Sequence, residues 1–76
     1  MAQFLITPRG DGINLSYIMH FELQRTFAVH VLAIFTEDKK FSIGVPKDYD
    51  SITVGRIIAA AIDSPKTVVF WDELKN

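Results

Sequence analysis

His20 and His30 are the only two histidines in the 76-residue sequence, which contains no cysteine. Imidazole is the side chain best suited to proton transfer or metal binding near neutral pH. A hairpin with its tip at residues 25–26 would place His20 opposite Val31, and His30 opposite Phe21. Paired residues share a sheet face, so in this register the imidazoles point to opposite faces and cannot share a metal ion. We predict no metal site, and we interpret His30 as a core or interface residue, although a different loop register would reverse the arrangement.

The nine carboxylates show no catalytic pattern. Asp48 and Asp50 flank Tyr49, but a calcium loop needs more alternating oxygen ligands and a terminal bidentate carboxylate. The sequence also lacks a nucleophile elbow and a phosphate-binding loop. We therefore expect a non-enzymatic protein with no catalytic residue and no cofactor.

The eight lysines and arginines are dispersed along the chain and leave a net charge of -1. This balance argues against a nucleic-acid partner held by excess positive charge. A local pocket for one anionic group stays open as an alternative, because arginine binds phosphate and carboxylate well. In that alternative the chain binds or sequesters a small ligand or nucleotide between two subunits. The candidate ligand-binding residues are Arg9, Arg25, His30 and Arg56.

The first eight residues have neither a basic region nor a long apolar stretch, so we expect no secretory signal. No run of the sequence approaches the ~20 apolar residues of a membrane span. We therefore predict a cytoplasmic protein with no membrane association. The absence of cysteine permits that reducing compartment without requiring it.

Length and composition predict a single folded domain over residues 1–76. Hydrophobic residues make up 49% of the chain and charged residues 22%, which is typical of an ordered domain rather than a disordered one. A chain of this size buries only about 60% of its unfolded surface, so its core is small.

Period-two hydrophobicity dominates the first part of the chain. Residues 3–7 predict a short strand, and the Pro and Gly residues of 8–12 predict a turn. From Ile13 to Leu23 apolar and polar residues alternate, with Ile18 as the single interruption. This alternation favours a half-buried strand. A helix over residues 14–25 is the alternative, because most residues there tolerate helices.

The second part of the chain contains two further strands, a helix and a final strand. Residues 27–35 are apolar on both faces apart from His30, and residues 41–45 alternate, which predicts a hairpin around a polar loop. A helix over 51–63 follows from apolar residues at the spacing i, i+3, i+4 and i+7: Val54, Ile57, Ile58 and Ala61.

The ends of that helix also carry signals. Asp50 or Ser51 can cap its first turn, and Pro65 excludes its continuation. Residues 67–71 predict a buried strand, and residues 72–76 a polar tail.

This order of elements predicts an α+β fold in which a small antiparallel sheet of four to five strands packs against one helix, residues 51–63. If residues 14–25 are helical instead, the order becomes βαββαβ, the ferredoxin-like arrangement.

One helix covers only about half of such a sheet face. The strands at 27–35 and 68–71 nevertheless carry apolar residues on both faces. A second copy of the chain is the simplest cover, so we predict a homodimer.

We therefore predict a protein–protein interaction module, an accessory regulator or inhibitor that binds itself and a partner protein. Exposed aromatic residues dominate binding surfaces, and small helical residues allow another backbone to approach closely. The predicted partner-binding residues are Tyr49, Arg56, Ala59, Ala60 and Trp71.

Overall fold

Two three-stranded sheets and one long helix form the fold in the computed structural model, which describes residues 2–74. The predicted α+β class is confirmed. The strands are β1 (Phe4–Ile6), β2 (Gly12–Asn14), β3 (His20–Arg25), β4 (His30–Phe35), β5 (Lys40–Val45) and β6 (Val68–Phe70). The helices are α1 (Ser51–Asp63) and the short α2 (Trp71–Leu74), and a 3-10 turn spans Leu15–Tyr17.

The first sheet, here called the mixed sheet, has the strand order β2-β1-β6. β1 pairs antiparallel with β2 and parallel with β6. The predicted turn between β1 and β2 is present, and Gly10 adopts a φ of 96° there, a conformation that glycine enters without steric cost. Through the pairing of β1 with β6, the mixed sheet brings residues 4–6 and residues 68–70 side by side.

The second sheet, here called the antiparallel sheet, has the strand order β3-β4-β5. Arg25 pairs with His30, so the β3–β4 loop has four residues rather than the two predicted. The Thr26 side chain closes this loop by hydrogen bonding to the backbone of Val29. His20 consequently pairs with Phe35 instead of Val31. The partner moves by an even number of residues, so the prediction that the two histidines point to opposite faces holds despite the wrong register.

The predicted continuous strand from Ile13 to Leu23 is wrong. The Asn14 side chain accepts a hydrogen bond from the Ser16 backbone N–H at 2.9 Å, and the chain turns there in a 3-10 helix. β2 and β3, on either side of the turn, belong to different sheets. Ile18, the one interruption of the alternation, lies directly after the turn. The single four- to five-stranded sheet is therefore replaced by two sheets. No α-helix covers residues 14–25, so the ferredoxin-like alternative is not confirmed either.

The core lies between the two sheets and α1. Its main contributors are Leu5, Ile13 and Val69 from the mixed sheet, Leu32, Ile34, Ile43 and Val45 from the antiparallel sheet, and Val54, Ile57, Ile58 and Ala61 from α1. The inner faces of both sheets thus share one core with the helix. The second sheet supplies much of the cover that the sequence led us to expect from a second chain.

The last part of the chain departs from the predicted buried strand over residues 67–71. β6 is shorter, only Val69 within it is buried, and Trp71 already begins α2. Residues 72–74 of the predicted polar tail continue α2, and residues 75–76 lie outside the described part of the chain.

Helix α1 has the bounds that the sequence predicts, and Asp50 is its cap. The Asp50 carboxylate accepts a hydrogen bond from the Thr53 backbone N–H at 2.7 Å. This bond, followed by one from the Thr53 hydroxyl, holds the pKa of Asp50 below its ordinary value. The charged form of Asp50 is therefore favoured by folding.

Replacing Asp50 by alanine should lower the thermal unfolding midpoint at neutral pH, because α1 loses an N-terminal acceptor. A lowered pKa stabilises the fold above the ordinary aspartate pKa, and this contribution disappears as the pH falls through the lowered value. The difference between wild type and Asp50→Ala should thus shrink on acidification. Asp48→Ala is the matched control, and an equal loss in both variants would contradict the capping role.

Candidate interaction surfaces

The outer face of the mixed sheet is apolar and exposed. Phe4 pairs with Val68 and Ile6 with Phe70 in the parallel register, and paired residues share a face. Phe4 and Val68 are each 38% exposed and Phe70 is 50% exposed, while Ile6 is half-buried. We call these four residues the outer apolar face. The opposite side of the same strands enters the core.

β2, the remaining strand of the mixed sheet, adds no charged side chain to the outer apolar face. Gly12 and Asn14 of β2 are the register partners of Ile6 and Phe4. Gly12 has no side chain, and the Ile6 side chain lies directly beside it: a Cβ atom at Gly12 would be 3.6 Å from Cδ1 of Ile6. The six register positions of the mixed sheet on this side therefore carry no ionisable side chain.

The corresponding side of the antiparallel sheet is different. The His20 ring stacks on Phe35 at 4.4 Å between centroids, and Lys40 lies 5.9 Å from the Phe35 centroid. Ala33, which lies between Glu22 and Ser42 on the same side of the sheet, is fully buried. The His20 and Lys40 side chains thus cover Phe35 on this side of the antiparallel sheet. No apolar face comparable to that of the mixed sheet remains here within residues 2–74.

Two open grooves flank Tyr17, which is 67% exposed. The larger, of about 380 Å³, is lined by Ser16, Tyr17, Ile18, Met19 and Glu37. The smaller, of about 270 Å³, is lined by Gly12, Asn14, Tyr17, Thr36, Asp38, Lys39 and Phe41. The first contains one ionisable carboxylate and the second one carboxylate and one amine.

Phe27 at the tip of the β3–β4 loop is fully exposed, and its neighbour Val29 is 49% exposed. The tip is a single projecting aromatic residue rather than a continuous surface. Scattered apolar residues of this kind are common on protein surfaces.

The predicted partner-binding residues differ in their exposure to solvent. Arg56, Ala59 and Ala60 are exposed on α1, whereas Tyr49 is half-buried against the core. The predicted exposure of Trp71 is wrong, since its side chain is only 3% exposed. The chain leaves β6 at this residue and enters α2, which packs against α1, and the indole is part of the core.

The four predicted ligand-binding residues lie on separate elements. Arg25 and His30 are register partners at one end of the antiparallel sheet. Arg9 lies in the β1–β2 turn, and Arg56 lies on α1. Nδ1 of His30 is buried and makes no hydrogen bond within residues 2–74. The structure therefore places Arg25 and His30 side by side on neighbouring strands, and Arg9 and Arg56 on other elements. Of the two neighbours, His30 has a ring nitrogen without a hydrogen-bond partner in the described part of the chain.

Within residues 2–74, no group of three or more histidine, aspartate or glutamate side chains is placed to hold a metal ion. None of the helices in this range is both long enough and apolar enough to cross a membrane.

Comparison with known proteins adds no functional information. No protein-family model, no curated protein and no solved structure matches the chain. A functional interpretation therefore depends on the surfaces described above.

Sequence reasoning found only part of the outer apolar face: it noted that residues 68–71 are apolar on both faces, but it did not identify Phe4 and Ile6. Its signal is present in the two segments Phe4-Leu5-Ile6 and Val68-Val69-Phe70, which are apolar at every position. Strands of this kind usually have both faces covered. Here the mixed sheet is covered on one side only, so four of these six apolar positions face outwards and two enter the core.

The burial of Trp71 gives a direct test of the structure, because it is the only tryptophan in the chain. Its native fluorescence should be blue-shifted and weakly quenched by iodide, since the indole is shielded from water. Unfolding in denaturant should shift the emission to longer wavelength and restore quenching. Native emission like that of the unfolded chain would contradict the placement of Trp71 in the core.

Proposed function

We propose that this chain is a non-enzymatic protein-interaction module that acts as a homodimeric accessory regulator or inhibitor. The outer apolar face is the observation that carries the proposal. The largest continuous apolar patch on a monomeric protein typically measures about 300–600 Å² and often has a function, and this face reaches the lower end of that range.

The size of this face fits a weak interface. An aromatic side chain buries 150–250 Å², so the exposed parts of the four residues amount to roughly 300 Å². Two such faces packed together would cover roughly 600 Å² of apolar surface. About 65% of a homodimer interface is apolar, which implies a total of roughly 900 Å². Specific interfaces generally exceed about 1,000 Å², so we expect a dimer that dissociates on dilution.

A second copy of the chain is the occupant that the charges favour. The outer apolar face carries no ionisable side chain, so two copies meet there without repulsion between like charges. Sheets also pack naturally face to face at about 10 Å. A two-fold arrangement places the same residues on both sides of the interface.

The regulatory part of the proposal concerns the remaining surface. Arg56, Ala59 and Ala60 stay exposed on α1 and do not belong to the outer apolar face. A dimer formed through that face would present two copies of these predicted partner contacts. Two linked copies bind a partner with two sites more tightly than one copy does.

Replacing Phe70 by serine should weaken the dimer by roughly tenfold or more, because it removes the most exposed member of the outer apolar face. The measurement is sedimentation equilibrium over a concentration series that extends into the millimolar range. Ile52→Ser is the matched control, since Ile52 is 65% exposed but lies on α1. A wild-type chain that stays monomeric throughout, or an equal effect of both substitutions, would refute the proposal.

Small-ligand binding is the second candidate, and the pairing of Arg25 with His30 is the observation that favours it. A nucleotide at about 100 times its dissociation constant should stabilise the folded state by about 2.7 kcal/mol. A thermal-shift screen with nucleotides should then show a rise in midpoint that Arg25→Gln abolishes. An unchanged midpoint with every nucleotide would exclude this class of ligand.

A further inference from the structure

β5 is an edge of the antiparallel sheet and pairs only with β4 within residues 2–74. It is six residues long, whereas the edge strands of the mixed sheet have three residues each. Residues 41–45 include no charge and no proline, and the register with β4 has no bulge. Proteins usually protect an edge strand with one of these features. The β5 edge is therefore able to pair with a further strand.

The backbone of β5 directs alternate residues to the free edge. The N–H of Thr36 donates to the carbonyl of Lys39 at 2.9 Å, so the Lys39 backbone faces β4. Successive residues of a strand direct their N–H and C=O groups to opposite sides. Lys40, Ser42 and Gly44 therefore direct theirs away from β4. Within residues 2–74, no hydrogen bond outside the pairing with β4 involves Ser42 or Gly44.

The one charged side chain of β5 lies over its own sheet. Nζ of Lys40 is 5.9 Å from the ring centroid of Phe35, the residue that faces it on β4. The amine therefore leans towards β4 rather than towards the free edge. Gly44 has no side chain, and a Cβ atom there would have no heavy atom within 4 Å beyond its chain neighbours. That position thus leaves space for the side chain of a neighbouring strand.

We propose that β5 pairs with β5 of a second copy of the chain, antiparallel and centred on Ser42. The two antiparallel sheets then form one sheet of six strands. In this register Ser42 faces Ser42 of the second copy, and Lys40 faces Gly44 of the second copy. The outward N–H and C=O groups of all three residues find partners. A two-fold axis at the Ser42 pair relates the copies, so the pairing closes on itself.

The side chains are complementary in this register, which is why a second copy is the occupant. Half-buried Phe41 faces Ile43 of the second copy on the core side, and apolar cross-strand pairs stabilise sheets. Lys40 meets no like charge, because it faces a glycine. Continued beyond the strands, the register brings Glu37 opposite Lys47 of the second copy, and both are exposed. Opposite charges therefore meet at each end of the pairing.

This interface goes beyond the proposed function, because the outer apolar face lies on the other sheet. Neither interface requires the other. Copies that use both associate beyond the dimer. The Phe70→Ser substitution weakens association through the outer apolar face and leaves β5 unchanged, so it allows the edge pairing to be measured separately.

Amide hydrogen exchange followed by NMR over a concentration series tests the pairing residue by residue. The N–H groups of Lys40, Ser42 and Gly44 should exchange several-fold more slowly at millimolar than at micromolar concentration, because the second copy then accepts their hydrogen bonds. The N–H groups of Phe41 and Ile43 face β4 and should be protected at every concentration.

The free edge of β3 provides the matched control. The Thr26 N–H donates to the Val29 carbonyl at 3.2 Å, so by the same alternation Phe21 and Leu23 direct their N–H groups away from β4. The exchange of these two groups should not depend on concentration.

Charge reversal tests the register. Glu37→Lys and Lys47→Glu each bring like charges together at both ends of the pairing, so each should reduce the concentration-dependent protection several-fold. The double variant Glu37→Lys/Lys47→Glu restores opposite charges and should restore the protection. Both residues are exposed outside the strands, so the variants should fold like the wild type, which circular dichroism checks.

The outcomes separate this inference from the proposed function. In the Phe70→Ser variant, the three outward N–H groups of β5 should still be protected at high concentration, even though association through the outer apolar face is weakened. Exchange of these groups that is independent of concentration overturns the edge pairing, whether or not the outer apolar face forms a dimer. Equal protection of the two control groups on β3 overturns it as well. Single charge reversals without effect, or a double variant without recovery, overturn the two-fold register.

Discussion

Burial of one face of the mixed sheet is the constraint on which the rest of the structure depends. The inward residues of β1, β2 and β6 are almost completely buried, and they share one core with the antiparallel sheet and α1. Residues 2–74 form one such core and supply no further layer for the other side of the mixed sheet. Because β1 and β6 are apolar at every position, covering one face leaves the other apolar and exposed.

The turn at residues 15–17 makes this arrangement possible. It ends β2 in one sheet and lets the chain begin β3 in the other, so that the inner faces of the two sheets share a core with α1. Much of the fold followed from the sequence: the α+β class, the bounds of α1, the Gly10 turn and the two hairpin strands of β4 and β5. The division at Asn14 did not follow, because a single side-chain hydrogen bond to Ser16 competes with an alternation that continues on both sides.

The surfaces were harder to predict than the elements. Arg56, Ala59 and Ala60 are exposed as the helical period indicates, because that period separates the buried side of α1 from the exposed side. The three-residue strands have no such period, so the sequence does not reveal that Phe70 is exposed while Trp71, one residue later, is in the core. The two side chains differ in exposure because β6 ends at Phe70 and α2 begins at Trp71. The boundaries of helices and strands are the features hardest to predict from a sequence.

The most direct measurement is a dilution series followed by NMR of the wild-type chain. If the outer apolar face binds a second copy, the signals of Phe4, Ile6, Val68 and Phe70 should shift with concentration. Those of Arg56, Ala59 and Ala60 should stay constant. Spectra that do not change with concentration, or shifts confined to α1, would contradict the assignment of this face as the binding surface.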